Sequence, residues 1–253
     1  DTDGNGSLDL FITHLVDQTH TLYSSVGSGG GVSYRDRSGS SGIGAGTLAM
    51  TGWGCGFLDL ENDGELDLAI VHGRVARGPV ASAADCGPFW SSYAEANQLY
   101  LNQGGGKYSL EKTRAGTFSS RAEASRGLAF ADIDSDGDTD LVQSNIGNVL
   151  RVFRNEAQRS GNHWLRVRAL TGARDDLGAL VTIAAGNRVL RRPVLSSSSF
   201  ACASEATAHF GLGSSDTIDS LTIRWSDGAS ESFNAGGVDR LLVLRRGEGS
   251  QGN

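Results

Sequence analysis

Three short stretches of this chain have the residue types and spacing to hold a hard cation. They read Asp1-Thr-Asp-Gly-Asn-Gly-Ser-Leu-Asp9-Leu10, Asp59-Leu-Glu-Asn-Asp-Gly-Glu-Leu-Asp67-Leu68 and Asp132-Ile-Asp-Ser-Asp-Gly-Asp-Thr-Asp140-Leu141. Without gaps, each follows acid-x-acid-x-(Asp or Asn)-Gly-x-x-Asp-Leu. Calcium takes six to eight hard oxygen ligands at about 2.3–2.6 Å. Alternate residues of a tight loop turn their oxygens inward, so positions 1, 3 and 5 supply carboxylate or amide oxygens. Position 7 offers its backbone carbonyl and its side chain is free to vary. The Asp at position 9 closes the cage from the next strand, and the Gly at position 6 (Gly6, Gly64, Gly137) permits the sharp turn. The expected Ca2+ ligands are therefore Asp1, Asp3, Asn5, Ser7 and Asp9; Asp59, Glu61, Asp63, Glu65 and Asp67; and Asp132, Asp134, Asp136, Asp138 and Asp140. The third loop, all Asp, is expected to bind best. The second must accommodate the longer Glu61, and the first, with neutral Asn5 at the chain end, is expected to be weakest.

Charge supports a cation in these loops. They contain thirteen of the 29 acidic residues; without them the chain would carry a formal charge of +6, against −7 for the whole. Acid packed this densely is costly unless a cation sits within it. A solvated acidic surface would spread its charge instead. An EF-hand is disfavoured because its bidentate Glu falls at position 12, which here is Ile12, Ile70 or Gln143. The wide separation of the loops also argues against tandem nine-residue β-roll repeats.

The elements that must position these loops repeat with them. The loops begin 58 and then 73 residues apart. Gly54-Cys-Gly-Phe57 and Gly127-Leu-Ala-Phe130 precede the second and third. Apolar runs follow each loop (Leu10–Ile12, Leu66–Val71, Leu141–Val142), then strand-like segments at Thr21–Tyr23, Asn97–Asn102 and Asn148–Asn155. Gly-rich turns at Gly29–Gly31 and Gly104–Gly106 lead to one more strand. Four strands per unit, repeated along a chain, predict propeller blades. About three blades fit, fewer than the usual four to eight. The chain opens inside a motif and reads as a piece with further blades upstream. From about residue 160 to 247 the pattern changes to hairpins, Leu180–Ile183 with Val189–Arg192 and Leu221–Trp225 with Ser230–Phe233, which predict a compact antiparallel sandwich or barrel.

Other chemistry is poorly supported. Gly is 36 of 253 residues and Pro only 3, as befits many tight turns, and no apolar run approaches the roughly 18 residues of a membrane span. Cys55, Cys86 and Cys202 have no zinc spacing; a Cys55–Cys86 disulfide and buried free thiols are equally compatible with the sequence. His14, His20, His72, His163 and His209 form no metal-ligand pair, and packed, hydrogen-bonded roles are expected for His163 and His209. Ser196–Ser199 lacks the context of a nucleophile and reads as a flexible loop. Gly104–Gly106 lacks the Lys-Ser/Thr of a phosphate loop. No basic aromatic platform suggests nucleic acid. The long segment Arg77–Ala96, with Phe89, Trp90 and Tyr93, suits recognition and packing equally.

These residues carry a resemblance. The loops and their flanks resemble FG-GAP/VCBS repeats of integrin-like propellers, in which such a loop binds calcium between two strands of a blade. Gly52–Phe57 through Val71–Val75 is similar to the form found beside ASPIC/UnbV domains. Asn162–Leu165, Gly178–Val181, His209–Gly213, Ile223–Trp225 and Asp227-Gly228 fall in the order that such a domain uses. The chain departs from the pattern at Trp225-Ser-Asp-Gly228, where the family has Trp-Pro-x-Gly, and at Ser199–Ser204.

The reading is an all-β chain, with propeller blades over residues 1–158 and an ASPIC/UnbV domain over 159–248. The expected function is a non-catalytic, calcium-binding module for binding or adhesion, placed outside the cytoplasm (extracellular, cell-surface or periplasmic). Its partner would be a protein or glycan. The alternatives are a piece of a polysaccharide-active propeller enzyme and a structural spacer of a surface protein.

Overall fold

Apolar residues follow each acidic loop and also precede the second and third, and glycine-bearing turns cut these runs into short strands. In the computed structural model, which describes residues 1–26, 33–157 and 161–251, these strands form small sheets. Blade 1 joins β1 (Leu10–Ile12), β2 (Thr21–Ser25) and β3 (Tyr34–Asp36) in that order. The Gly29–Gly31 turn lies outside the described residues. Next come β4 (Gly52–Leu58), β5 (Asp67–His72), the short β6 (Glu95–Ala96), β7 (Gln98–Asn102), β8 (Tyr108–Glu111) and β9 (Ala122–Glu123). Blade 2 has the order β4-β5-β7-β8, while β6 and β9 pair as a separate ribbon. Blade 3 is β10 (Ser125–Ala131), β11 (Asp140–Asn145) and β12 (Arg151–Phe153). The expected four strands are thus complete in blade 2, whereas blades 1 and 3 show three each among the described residues. No counterpart of β4 and β10 is described ahead of loop 1.

The blades stack through opposite faces of the same strand. Leu68 and Ile70 of β5 cluster with Phe11 and Leu22 of blade 1, whereas Ala69 and Val71 cluster with Leu128 and Leu141 of blade 3. That accounts for the burial of Leu68 to Val71, four of the six buried β5 residues. The equivalent face of blade 1, with Leu8, Leu10 and Ile12, is exposed, Leu10 by 46% where its repeat-mates Leu68 and Leu141 are 0% and 6% exposed.

Beyond blade 3 lie β13 (His163–Thr171), β14 (Arg174–Asp175), β15 (Leu180–Ala185), β16 (Arg188–Pro193), β17 (Ala208–Gly213), β18 (Ser220–Arg224), β19 (Ser230–Phe233), β20 (Arg240–Arg245) and β21 (Ser250–Gln251). Both predicted hairpins form, as β15–β16 and β18–β19. One sheet is β14-β13-β17 with β20 added to β13, and the other is β16-β15-β18-β19-β21. With blades 1 to 3 this makes five small sheets in series, a five-blade propeller arrangement. The last two share a single core: Leu165, Val167 and Phe210 from one sheet meet Val181, Ile183, Leu221 and Ile223 from the other, with Trp225 fully buried. One expectation needs correction here. The sandwich is not wholly antiparallel, because β20 crosses from the second sheet and runs parallel to β13, Leu165 opposite Arg240.

Several loops prove to be packed. Trp90 covers the turn at Gly147, where an added Cβ would sit 1.9 Å from the indole. Phe89 stays exposed beneath the Arg77 guanidinium, 4.8 Å from its ring centroid. The Arg77–Ala96 segment therefore divides between packing and display. The three cysteines are free thiols. The stretch after Ser196–Ser199 runs beside β10: Phe130 donates its backbone N–H to Ser204 Oγ, and Glu205 donates its own to the Phe130 carbonyl.

Candidate metal centres

The three loops share one internal wiring. The Asp at position 1 accepts backbone N–H groups from the turn ahead: Asp59 from Asp63 (3.0 Å) and Gly64 (2.8 Å), Asp132 from Asp136 (3.1 Å) and Gly137 (3.0 Å), Asp1 from Gly6 (3.1 Å). The Asp at position 9 ties the loop to the neighbouring strand. Asp9 accepts from Thr2 and Ser25, Asp67 from Leu60 and Asn102, and Asp140 from Ile133 and Asn155, all at 2.7–3.1 Å. Two left-handed residues make the turn. Position 6 is always Gly, with φ between 86° and 93°, and position 4 is Gly4, Asn62 or Ser135, with φ of 73°, 55° and 62°. Asn and Gly tolerate that conformation, but Ser does so at a cost.

The loops differ in where the carboxylates end up. In loop 1, Asp1, Asp3 and Asp9 bring one oxygen each within 4.8 Å of one another, and in loop 3 Asp132, Asp134 and Asp136 do the same. In loop 1, Asp1 Oδ1 is buried without a hydrogen-bond partner. A buried, unsatisfied carboxylate oxygen beside two more carboxylates suits a hard cation and little else. Asn5 turns its amide N–H to the Ser25 carbonyl (3.0 Å) and accepts from Ser7 N (2.8 Å), so its side chain braces the loop. In loop 3, Asp138 is buried and accepts from Asn62 Nδ2 across the blade interface (2.7 Å), and both Asp140 oxygens are taken by backbone N–H groups. Arg166 meets Asp132 at 2.6 Å and Arg154 meets Asp134 at 3.3 Å; Arg37 meets Asp3 of loop 1 at 3.2 Å.

Loop 2 does not gather its acids in this way. Among the described residues, Asp59, Glu61, Asp63, Glu65 and Asp67 give no such convergent group. Glu61 turns to Arg114 (2.5 Å) and Glu65 to Arg188 (2.9 Å). Asp59 is 1% exposed and accepts a further N–H from Gly211 (3.1 Å). Burial pushes the Asp59 carboxyl up to about 7, opposed by nearby Arg192, and pushes Asp67 up to about 8 against its two backbone hydrogen bonds.

Sequence reasoning did not anticipate the arginines of the C-terminal sheets. Arg188 and Arg192 lie on the inward face of β16 with buried Leu190 between them, and Arg166 lies on β13. Two cations on the buried face of a strand were the available signal, because buried guanidiniums require acidic partners. A cavity of about 380 Å³ separates the blades from these sheets, lined in part by Leu10, Phe57, Phe130, Arg166, Arg192 and His209. His209 and His163 are indeed hydrogen-bonded packing residues: His209 Nε2 lies 3.1 Å from the Gly137 carbonyl, and His163 Nδ1 lies 2.7 Å from Asp239.

Two family models match parts of the chain. The ASPIC and UnbV family matches residues 170–251, and the FG-GAP-like repeat family matches residues 89–143. The chain carries an FG-GAP-like repeat and an ASPIC and UnbV domain. The FG-GAP-like match spans the outer half of blade 2, β10, loop 3 and most of β11. The ASPIC and UnbV match begins in β13 and takes in the remainder of the sandwich. The chain is also distantly similar to cartilage acidic protein 1: 34% identical over 125 residues to that of Homo sapiens, and 29% over 195 residues to that of Xenopus tropicalis. These alignments cover 47% and 74% of this chain but only 18% and 27% of the relatives, so the chain spans less than a third of their length. No helix is long and apolar enough to cross a membrane among the described residues.

Proposed function

We propose that this chain is a non-catalytic binding module, presented outside the cytoplasm and stiffened by calcium, with blades over residues 1–158 and the ASPIC and UnbV domain over 159–248. The observation that carries the reading is the convergence of three carboxylates within 4.8 Å in both loop 1 and loop 3. Asp1, Asp3 and Asp9 would hold one ion, and Asp132, Asp134 and Asp136 another. A bound ion supplies the positive charge these oxygens need to sit together and so locks the loop between its two strands. Asp1, Asp3, Asp9, Asp132 and Asp136 already accept N–H groups of their own loops, a wiring that serves a fixed cage rather than proton transfer. The partner is proposed to be a protein or glycan.

Sites of this kind in extracellular modules have dissociation constants of about 10⁻⁴–10⁻³ M. At a hundredfold excess over that constant, one site adds about 2.7 kcal/mol. The test is calorimetric titration of chelator-stripped protein with CaCl₂, paired with melting curves. Saturable heat and a rise of about 5–10 °C per site are expected, with Mg2+ a poor substitute because it demands near-ideal octahedral geometry. Identical melting curves in chelator and in 10 mM calcium would remove the metal from the account.

A further inference from the structure

Loop 2 is held in a way that its sequence motif does not reveal. Five consecutive backbone carbonyls, from Leu60 to Gly64, each accept a hydrogen bond from the chain downstream of the blades' own strands. Asn155 Nδ2 reaches Leu60 O (2.9 Å), Asn162 Nδ2 reaches Glu61 O (2.9 Å) and Gly213 N reaches Asn62 O (2.9 Å). Arg188 donates to Asp63 O, and Arg192 Nη2 to Gly64 O (3.2 Å). The approach is close on both sides. A Cβ added at Gly64 would stand 2.5 Å from Arg188 Nη1, and one at Gly211 would stand 2.1 Å from Asp59 Oδ2. Arg191 also stands beside the loop 1 turn, 2.4 Å from a Cβ added at Gly6, and Arg166 pairs with the buried Asp132 carboxylate of loop 3, yet in both loops three carboxylates still converge. In loop 2 the arginines donate to the turn's own carbonyls, and the acids form no convergent group among the described residues.

We propose that loop 2 is not a metal centre but the seat on which the C-terminal sandwich is fastened to the blades, with the Arg188 and Arg192 guanidiniums supplying the positive charge that an ion would supply in loops 1 and 3. The seat gives a cation the directional donors that a loop of exposed carbonyls can accept, since guanidinium presents five N–H groups in a fixed fork. Resting on the calcium reading of loops 1 and 3, this predicts two bound ions per chain, not three.

Native mass spectrometry of the full chain during CaCl₂ titration counts the ions directly. Wild type is expected to saturate at two. Glu61→Gln with Asp63→Asn removes the third- and fifth-position acids of loop 2 and should leave the count at two, whereas Asp134→Asn with Asp136→Asn should lower it to one. Arg188→Gln should keep both ions yet speed tryptic cleavage between blade 3 and the sandwich about tenfold. Three ions in wild type, or the loss of one in the loop 2 double variant, would overturn the proposal. If no loop binds calcium, the calcium reading fails by itself, and the seat is then judged by proteolysis: an Arg188→Gln chain cleaved no faster than wild type would overturn it.

Discussion

Replacing Arg192 by Met tests how far the buried guanidinium holds the two parts of the chain together. The side chain is 7% exposed. Its Nη2 donates to Gly64 O and its Nη1 to Arg191 O, and it lies 5.8 Å from the Phe210 ring centroid. Met keeps most of the apolar stem, so the loss is electrostatic. One hydrogen bond to a carbonyl from a charged donor contributes about 1.5–3 kcal/mol. Arg192 also acts through space on Asp59, opposing the burial that raises that carboxyl. The expected deficit is about 3 kcal/mol, or a fall of about 6–12 °C in Tm at this chain length. Urea unfolding followed by tryptophan fluorescence reads it, since Trp164 and Trp225 both lie in the sandwich. The sign with pH is fixed. Asp59 already titrates near 7 when folded, with burial the main cause. Losing Arg192 raises it further, so the charge-dependent part of the deficit accrues as pH rises through about 7 and is absent at pH 5. Adding Asp59→Asn to the variant should recover only the charge-dependent part of the loss, and calcium should not. A single-variant deficit below about 1 kcal/mol, or a double variant that is additively worse, would refute the reasoning.

Gly137→Ala should be far more damaging than Gly104→Ala, although both glycines have left-handed φ values, 93° and 92°. The first would drive a methyl to 1.9 Å from Trp164 whereas the second meets nothing within 4 Å, so melting curves should give about 3 kcal/mol against about 1 kcal/mol. A second prediction concerns the stacked, buried pair His20 and His72, whose Nε2 atoms are 3.3 Å apart. Burial lowers them to about 4 and about 3. The unfolded state takes up their protons first, so their contribution is intact above about pH 6.5 and lost as pH falls toward 4. His72 alone should account for about 2 kcal/mol between pH 6.5 and 5, read as a flatter pH profile in His72→Gln than in wild type.

The sequence made the blades legible because acids two residues apart, a following Gly and an alternating apolar run are all local signals. Three acids converge in loop 1 (Asp1, Asp3, Asp9) and three in loop 3 (Asp132, Asp134, Asp136), from different positions of the shared spacing. Loop 2 has the same letters and behaves otherwise, because its arginines lie more than 120 residues downstream and no local pattern pairs them. Ser135 bends backward like Gly4 and Asn62, but serine gives no sign of a left-handed residue. Hairpins β15–β16 and β18–β19 were readable from neighbouring strands separated by turns. The parallel β13–β20 pair was not, since it joins segments some 75 residues apart with no turn to announce the pairing.

The uncovered face of blade 1 has a practical consequence. A strand that shows Leu8, Leu10 and Ile12 to water, and leaves one row of main-chain donors and acceptors without a mate, invites any extended polypeptide to join it. Prepared by itself, this stretch should grow turbid or self-associate as it is concentrated. A charge placed at position 12, where Ile12 is 37% exposed, should keep it in solution.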